Sequence, residues 1–432
     1  MNEAPSELIN VAQLRPGMFV ELALGWMAHP FPTSSFKISS VKQIETIRSL
    51  GLTQVRYVPD KSDPPDVAND HLADDRAAAQ RGAAIERERA QMQEQQARKQ
   101  RSLLLGTQQR DLVACERRFG QTMRQYKLAI ELIETKPLEA VAQCKALVDG
   151  FVSELLESHE STIRLLSDGM GDRLAMHPVN VSVISLLLGK YLGLPVEEMS
   201  ELGLAAFLHD IGKSQLPDRL RWWDDSFSGA EQKAYQSHVA LGAALGQRMG
   251  LSPATVQAIA QHHEMVDGSG FPARIKGDAM SRPAKILALV NRYEDLCNPS
   301  RPATALTPHD ALALIFAQQK TRFDAVVLGA FIRMMGVYPP GSVVQLADER
   351  YAMVVSVNST RPLKPRVIVF DPAVSKHEAL ILDLEETPAL GIRRNLKPAN
   401  LPRAAMDYLS PRQRICYFFE RAVDTPLTGT TP

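Results

Sequence analysis

Between residues 110 and 336 the chain repeats helical periodicity almost without interruption, through Leu128 to Ile133, Leu138 to Leu156, Val179 to Leu192, Met199 to His209 and Ala284 to Leu296. Apolar residues recurring at that period form a face that needs partner helices, so the segment predicts an all-α domain. Five of the chain's ten histidines, His177, His209, His238, His262 and His263, lie on or beside these helices, and Asp210 directly follows His209. Imidazole with carboxylate is the donor set of iron, manganese, nickel or zinc rather than of a thiolate site. The expected chemistry is hydrolytic.

The flanks differ in texture, and 432 residues suit two or three domains. Residues 1–69 read as a small α/β accessory domain: short alternating segments at Met18 to Leu22 and Gln54 to Val58 surround a helical pattern, Ser39 to Leu50, ended by Gly51. A proline pair in DKSDPPDVAND (60–70) marks a turn-rich join. Residues 70–109, dense in Ala, Gln, Glu and Arg without a wide apolar stripe, read as a polar helical linker that leaves a homodimer open. The helical domain is expected over 110–336. From 337 to 432 the β-branched runs VVQLAD, YAMVVSV, RVIVF and EALILDL predict a small β-rich module, closed by a helical pattern near Pro411 to Arg421. The fold class expected is therefore mainly α.

Forty-nine Lys and Arg against forty-nine Asp and Glu leave no global positive field for long nucleic acid, so a small anionic ligand is expected. Four scattered cysteines show no CxxC pair and read as reduced. The polar MNEAPSELIN start is unlike a secretory signal, and no apolar run reaches the roughly 18 residues that span a bilayer. The expected location is cytoplasmic, without membrane association.

Glu201 to Lys213 (ELGLAAFLHDIGK) is an apolar helix that delivers His209 and Asp210 at its carboxyl end, where Gly212 can stop it. Adjacent helical residues point about 100° apart, so such a pair grips two neighbouring ions more readily than one. The same holds for His262 and His263. Paired ions are a common solution to phosphoester hydrolysis.

HDIGK at 209–213, the later His238 and HHEMVDGSGFP at 262–272 together resemble the HD-GYP subgroup of the HD metal-dependent phosphohydrolases. The resemblance implies a helical bundle that hydrolyses the bacterial messenger cyclic di-GMP to pGpG, and in some members to GMP. It also implies that His177, His209, Asp210, His238, His262 and His263 ligate two divalent ions, iron or manganese ahead of nickel or zinc, with Asp210 as the bridge. Lys213 becomes the cation that contacts phosphate or orients water beside Asp210. The loop from Gly268 through Gly270 and Phe271 corresponds to the GYP motif, with Phe271 where tyrosine is usual, and offers a surface for a signalling-protein partner.

Two positions depart from the family pattern. Asn291 stands where the family has a metal-binding aspartate, and a neutral amide is the weaker ligand; Asp295 or Glu294 are the nearby substitutes, with Asp295 one turn further on. Arg173 stands one turn before His177, where three-metal members carry glutamate, which argues against a third ion. Arg173 and Arg301, the latter in RPAT where the family has RPYR, are instead expected to hold substrate phosphate. Trp222 and Trp223 read as packing residues before guanine-stacking ones.

The leading reading is thus a two-metal cyclic di-GMP phosphodiesterase. Asn291 motivates a second, a degenerate protein that binds cyclic di-GMP or a partner without appreciable hydrolysis. An HD hydrolase of another nucleotide is a third, opposed by the HHE to GFP segment.

Overall fold

A computed structural model describes residues 5–25, 28–158, 161–167, 173–358, 361–387 and 389–421, without the side chains of 65–79, 173, 420 and 421. Two compact units divide near residue 100.

In the first unit, strands β1 (Glu7–Asn10), β2 (Phe19–Glu21) and β3 (Ser35–Lys37) precede helix α1 (Val41–Ser49) and strand β4 (Gln54–Tyr57). The strands form an antiparallel sheet in the order β1-β4-β2-β3. Ser40 caps α1 by accepting from the Gln43 amide, and Gly51, at φ +76°, reverses the chain after it. Ile44 and Ile47 of α1 pack on Val20, Ile38 and Val55, a core of the size such a short segment can assemble.

Helix α2, Pro65–Glu131, runs unbroken through position 109. Its character changes along its length: residues 80–104 are exposed, whereas Cys115, Phe119, Met123 and Tyr126 enter the core of the second unit. Gln108 is tied to that unit by exchanging hydrogen bonds with the backbone of Ile381, at 3.0 and 2.9 Å.

The second unit continues with α3 (Pro137–Glu157), strand β5 (Ser161–Leu165), α4 (Arg173–Tyr191), α5 (Val196–Leu208), α6 (Gly229–Gln236), α7 (His238–Arg248), α8 (Pro253–Gln261), α9 (Arg282–Cys297), α10 (Pro308–Gln318) and α11 (Ala325–Met335). At its centre is α5. Leu202, Ala205, Ala206, Phe207 and Leu208 are fully buried, and α3, α4, α8 and α9 surround it. A stretch apolar on every face, as 202–208 is, is stable only when wrapped in this way.

After α11, which Gly336 ends at φ +73°, come β6 (Val343–Leu346), β7 (Tyr351–Asn358), β8 (Arg366–Val369), β9 (Ile381–Asp383), β10 (Ile392–Leu396), helix α12 (Arg403–Leu409) and β11 (Tyr417–Arg421). One sheet holds them with β5, in the path β10-β6-β7-β5-β11, while β8 pairs with β7 and β9 with β8. The helical pattern expected over Pro411 to Arg421 is corrected here. The helix lies earlier, at 403–409, and Tyr417, Phe418 and Phe419 are buried in a strand antiparallel to β5. Three successive aromatics suit a two-faced strand buried on both sides better than a helix with one apolar stripe.

No helix among the described residues is long and apolar enough to cross a membrane.

Candidate metal centre

Three histidines sit at helix ends and are fixed by the same local device. The Nδ1 of His209 lies 2.7 Å from the Ala206 carbonyl, that of His238 2.5 Å from Tyr235, and that of His262 2.6 Å from Ile259. Each acceptor is three residues earlier, within reach because the helix is ending there. With Nδ1–H donated to a carbonyl, each ring presents a bare Nε2 lone pair, the arrangement of a metal-binding imidazole.

These lone pairs converge on Asp210, whose two oxygens face different sets. Oδ2 lies 3.5 Å from Nε2 of His177 and 3.4 Å from Nε2 of His209. Oδ1 lies 3.4 Å from Nε2 of His238 and 3.7 Å from Nε2 of His262. Within the sets, the Nε2 atoms of His177 and His209 are 3.1 Å apart and those of His238 and His262 3.3 Å. In the His238 and His262 pair both Nδ1 atoms donate to carbonyls, so the facing Nε2 lone pairs repel unless a cation lies between them. His263 joins the Oδ1 set.

Three buried polar atoms in this cluster have no hydrogen-bond partner: Asp210 Oδ1, His263 Nε2 and Asn291 Oδ1. Orphaned acceptors are costly in a core, so their concentration here fits divalent cations. The donors are all nitrogen and oxygen, which suits iron, manganese, zinc or nickel.

His177 is held differently. Its Nδ1 is hydrogen-bonded to Glu294, which also accepts from Asn180 Nδ2 at 3.2 Å and Asn298 Nδ2 at 2.8 Å. Both asparagines donate to the Ile415 carbonyl, each at 2.8 Å, and accept from the backbone beside β11: Ile415 N to Asn298 Oδ1 at 2.8 Å, Tyr417 N to Asn180 Oδ1 at 3.0 Å. Glu294 is thereby committed to orienting His177.

The electrostatics follow this division. Burial opposes the charge on His177, but Glu294 outweighs it and pushes the pKa up to about 9. Burial lowers His238 to about 4 and holds His262 and His263 well below the usual imidazole value. Asp210 is kept ionised against its burial chiefly by Lys213, whose Nζ is 2.6 Å from Oδ2. Lys213 is raised in turn, because Asp210 overcomes the desolvation that would discharge it. Its ammonium also lies over Tyr235, 5.3 Å from the ring centroid.

Two glycines allow the close approaches. A Cβ on Gly212 would fall 2.0 Å from the His238 carbonyl oxygen, so only glycine lets the turn after Asp210 touch α7. At Gly270 it would fall 2.4 Å from the Met265 amide nitrogen. The loop there is further pinned by fully buried Glu264, whose carboxylate accepts from the amides of Ala273 (2.6 Å), Arg274 (3.1 Å) and Ile275 (3.2 Å). The only trace of Glu264's role in the sequence is its place in HHE, directly after the two histidines. Phe271 stacks on His263, 4.5 Å between ring centroids.

A cleft of about 610 Å³ opens over the centre, lined among others by Lys213, Trp223, Phe271, Asn291, Arg292 and Arg322. Gly270 lines it, whereas Gly268, at φ +79°, forms the turn behind. Arg301 reaches the same cleft but is paired with Asp224. The Arg173 side chain lies outside the described residues. A second cavity of about 330 Å³ meets His177, Asp210 and Lys213 from the side of α2, through Tyr126, Ile130 and Glu131. Trp222 lines both cavities, and Trp223 packs edge-on against Phe227 and Tyr235.

Comparison with known proteins gives two family matches, an HD domain over residues 152–327 and a domain of unknown function (DUF3391) over 7–144. The chain is 27% identical over 374 residues to a cyclic di-GMP phosphodiesterase of Pseudomonas aeruginosa, covering 85% of this chain and 86% of that one. It is 30% identical over 156 residues to a cyclic di-GMP phosphodiesterase response regulator of Xanthomonas campestris pv. campestris, covering 35% of this chain and 41% of the relative. Among solved structures, an HDG"Y"P protein from Bdellovibrio bacteriovorus superposes with a TM-score of 0.42 at 15% identity, over 76% of this chain and 98% of the other.

Proposed function

We propose that the chain, which carries an HD domain over residues 152–327 and is 27% identical to a cyclic di-GMP phosphodiesterase of Pseudomonas aeruginosa, is an HD-GYP phosphohydrolase that hydrolyses cyclic di-GMP to linear pGpG at a centre of two divalent ions. The observation that carries this reading is the division of Asp210, with one oxygen toward His177 and His209 and the other toward His238 and His262. His177, His209 and Asp210 would hold one ion with Asn291 beside it, and Asp210, His238, His262 and His263 the other. Iron and manganese suit this mixed imidazole and carboxylate set best. Such ions supply Lewis acidity toward phosphate oxygens and acidify water to a nucleophile at neutral pH.

The chain's own groups do the rest. Lys213, charged and within 2.6 Å of Asp210, holds that carboxylate in register and places a cation at the cleft floor for a phosphate oxygen. Arg301, on the cleft rim, takes a substrate phosphate once it exchanges Asp224 for it. Arg173 is assigned the same role by its place one turn before His177. Phe271 and the backbone of Gly270 wall the cleft; Phe271, lacking a hydroxyl, offers a purine base a flat apolar face only. Gly268 sets the turn that presents them.

The test is turnover of cyclic di-GMP by the wild type and by His209→Ala and Asp210→Ala, with products separated by chromatography. Loss of pGpG in both variants supports the reading, and unchanged turnover overturns it. Asn291 favours one competing outcome: tight cyclic di-GMP binding without product, which assigns the chain to the receptor class. Asn291→Asp then distinguishes a ligand defect, which it repairs, from any other.

A further inference from the structure

Resting on the two-ion reading above, we propose that Asp295 supplies the anionic oxygen that Asn291 cannot, and so completes the ion site built on His177, His209 and Asp210. The argument begins with what that site lacks. Its partner site has three imidazoles and one oxygen of Asp210, whereas this site has two imidazoles, the other oxygen of Asp210 and, on the reading above, the neutral amide of Asn291. The single negative charge of Asp210 is shared by both sites and faces the ammonium of Lys213 at 2.6 Å. A divalent ion bound by that set alone would have one imidazole fewer than its neighbour and no carboxylate of its own.

Two other carboxylates are within reach on α9. Glu294 and Asp295 both lie within 4.8 Å of His177 in ligand-atom distance. Glu294 is excluded as the donor. It is 2% exposed, bonded to Nδ1 of His177, and saturated by Asn180 and Asn298, so it stands behind the ring and away from the Nε2 that faces the centre.

Asp295 shares that reach of His177 and Glu294, and it also opens to the cleft. It lines the cleft together with His177, Lys213, His263 and Asn291. Half-buried, it makes no hydrogen bond or ion pair with any described residue. Four residues after Asn291 on the same helix, it lies one turn along the same face. The amide oxygen of Asn291 is itself buried and unpartnered, so the ion keeps Asn291 as a neutral donor and leans one turn along α9 toward the charge. The replacement is thus displaced along the helix rather than lost.

The test uses full-length wild type, Asp295→Asn, Asn291→Asp and the double variant, each loaded with manganese, freed of excess, and assayed for metal per chain and for its paramagnetic resonance spectrum. The expected wild type carries two ions with a spin-coupled spectrum. Asp295→Asn, nearly isosteric, is expected to keep one ion with a mononuclear six-line spectrum and to bind the second at least tenfold more weakly. The double variant, with the carboxylate moved back to 291, is expected to regain the coupled pair, which separates a ligand effect from a folding defect. Two ions at wild-type affinity in Asp295→Asn would overturn the assignment of Asp295 alone. A wild type that takes up no manganese, iron, zinc or nickel would overturn it together with the two-ion reading.

Discussion

The two halves of the centre differ in one histidine, His177, which is held by a different means from the helix-end histidines His209, His238 and His262. On the side of Asp210 Oδ1, His238 and His262 are aimed by carbonyls three residues back in their own chain, so the geometry is set wherever the helix ends. On the side of Oδ2, His209 is aimed in the same local way by Ala206, but His177 is aimed by Glu294, which depends on Asn180, Asn298 and the backbone at Ile415. The first half is local and self-contained. The second includes a relay across the fold, and it is also the half to which Asn291 is assigned above. The centre therefore has a sturdy side and a contingent one, and loss of metal should begin at His177.

The largest effect belongs to the residue common to both halves. Asp210→Ala removes the shared oxygen donor and should abolish binding of both ions and lower kcat by about 10³-fold or more, read by metal analysis and single-turnover kinetics. If one ion stays at full affinity, the halves are independent sites and the comparison fails.

Glu294→Gln sharpens the contrast. Removing the charge behind His177 should weaken one ion by about 10–100-fold and leave the other unchanged in a competition titration. Equal weakening of both would mean that the relay serves the whole centre.

Further out, Asn298→Ala leaves the Ile415 amide and carbonyl short of a buried partner and should cost about 1–3 kcal/mol in urea denaturation. Metal affinity on the His177 side should fall by less than in Glu294→Gln, because Asn180 still holds the carboxylate. A variant that loses stability with no change in metal affinity would break the relay at this link.

The smallest effect is expected at the rim. The side chains of the Arg301 and Asp224 pair are 52% and 35% exposed, so Asp224→Ala should change stability by less than about 1 kcal/mol. By freeing Arg301 for phosphate it should lower KM a few-fold with kcat unchanged. An unaltered KM would remove Arg301 from substrate binding.

The contrast between the halves also explains what was legible in the sequence. HDIGK and HHEMVDGSGFP are contiguous strings in which residue type and spacing carry the geometry, and the periodicity of Met199 to His209 already marks the central helix. The relay has no such string. Glu294 meets His177 across 117 positions and Asn180 across 114, and the Asn180 bond to Tyr417 spans 237. Sequence reading could therefore place Glu294 near the centre but left it beside Asp295 as an equal substitute ligand, since only the packed structure shows which carboxylate is engaged. The misread of Pro411 to Arg421 as helical has a similar root. Its pattern is decided by pairing with β5, more than 240 residues earlier in the chain.

The most direct measurement titrates metal-depleted protein with manganese or ferrous iron and follows, in the same samples, ions bound per chain and pGpG formed from cyclic di-GMP. The account predicts no product at zero or one ion and steady turnover as the second ion, on the His177 side, fills. Full turnover by metal-free protein, or none from a chain carrying both ions, would contradict it.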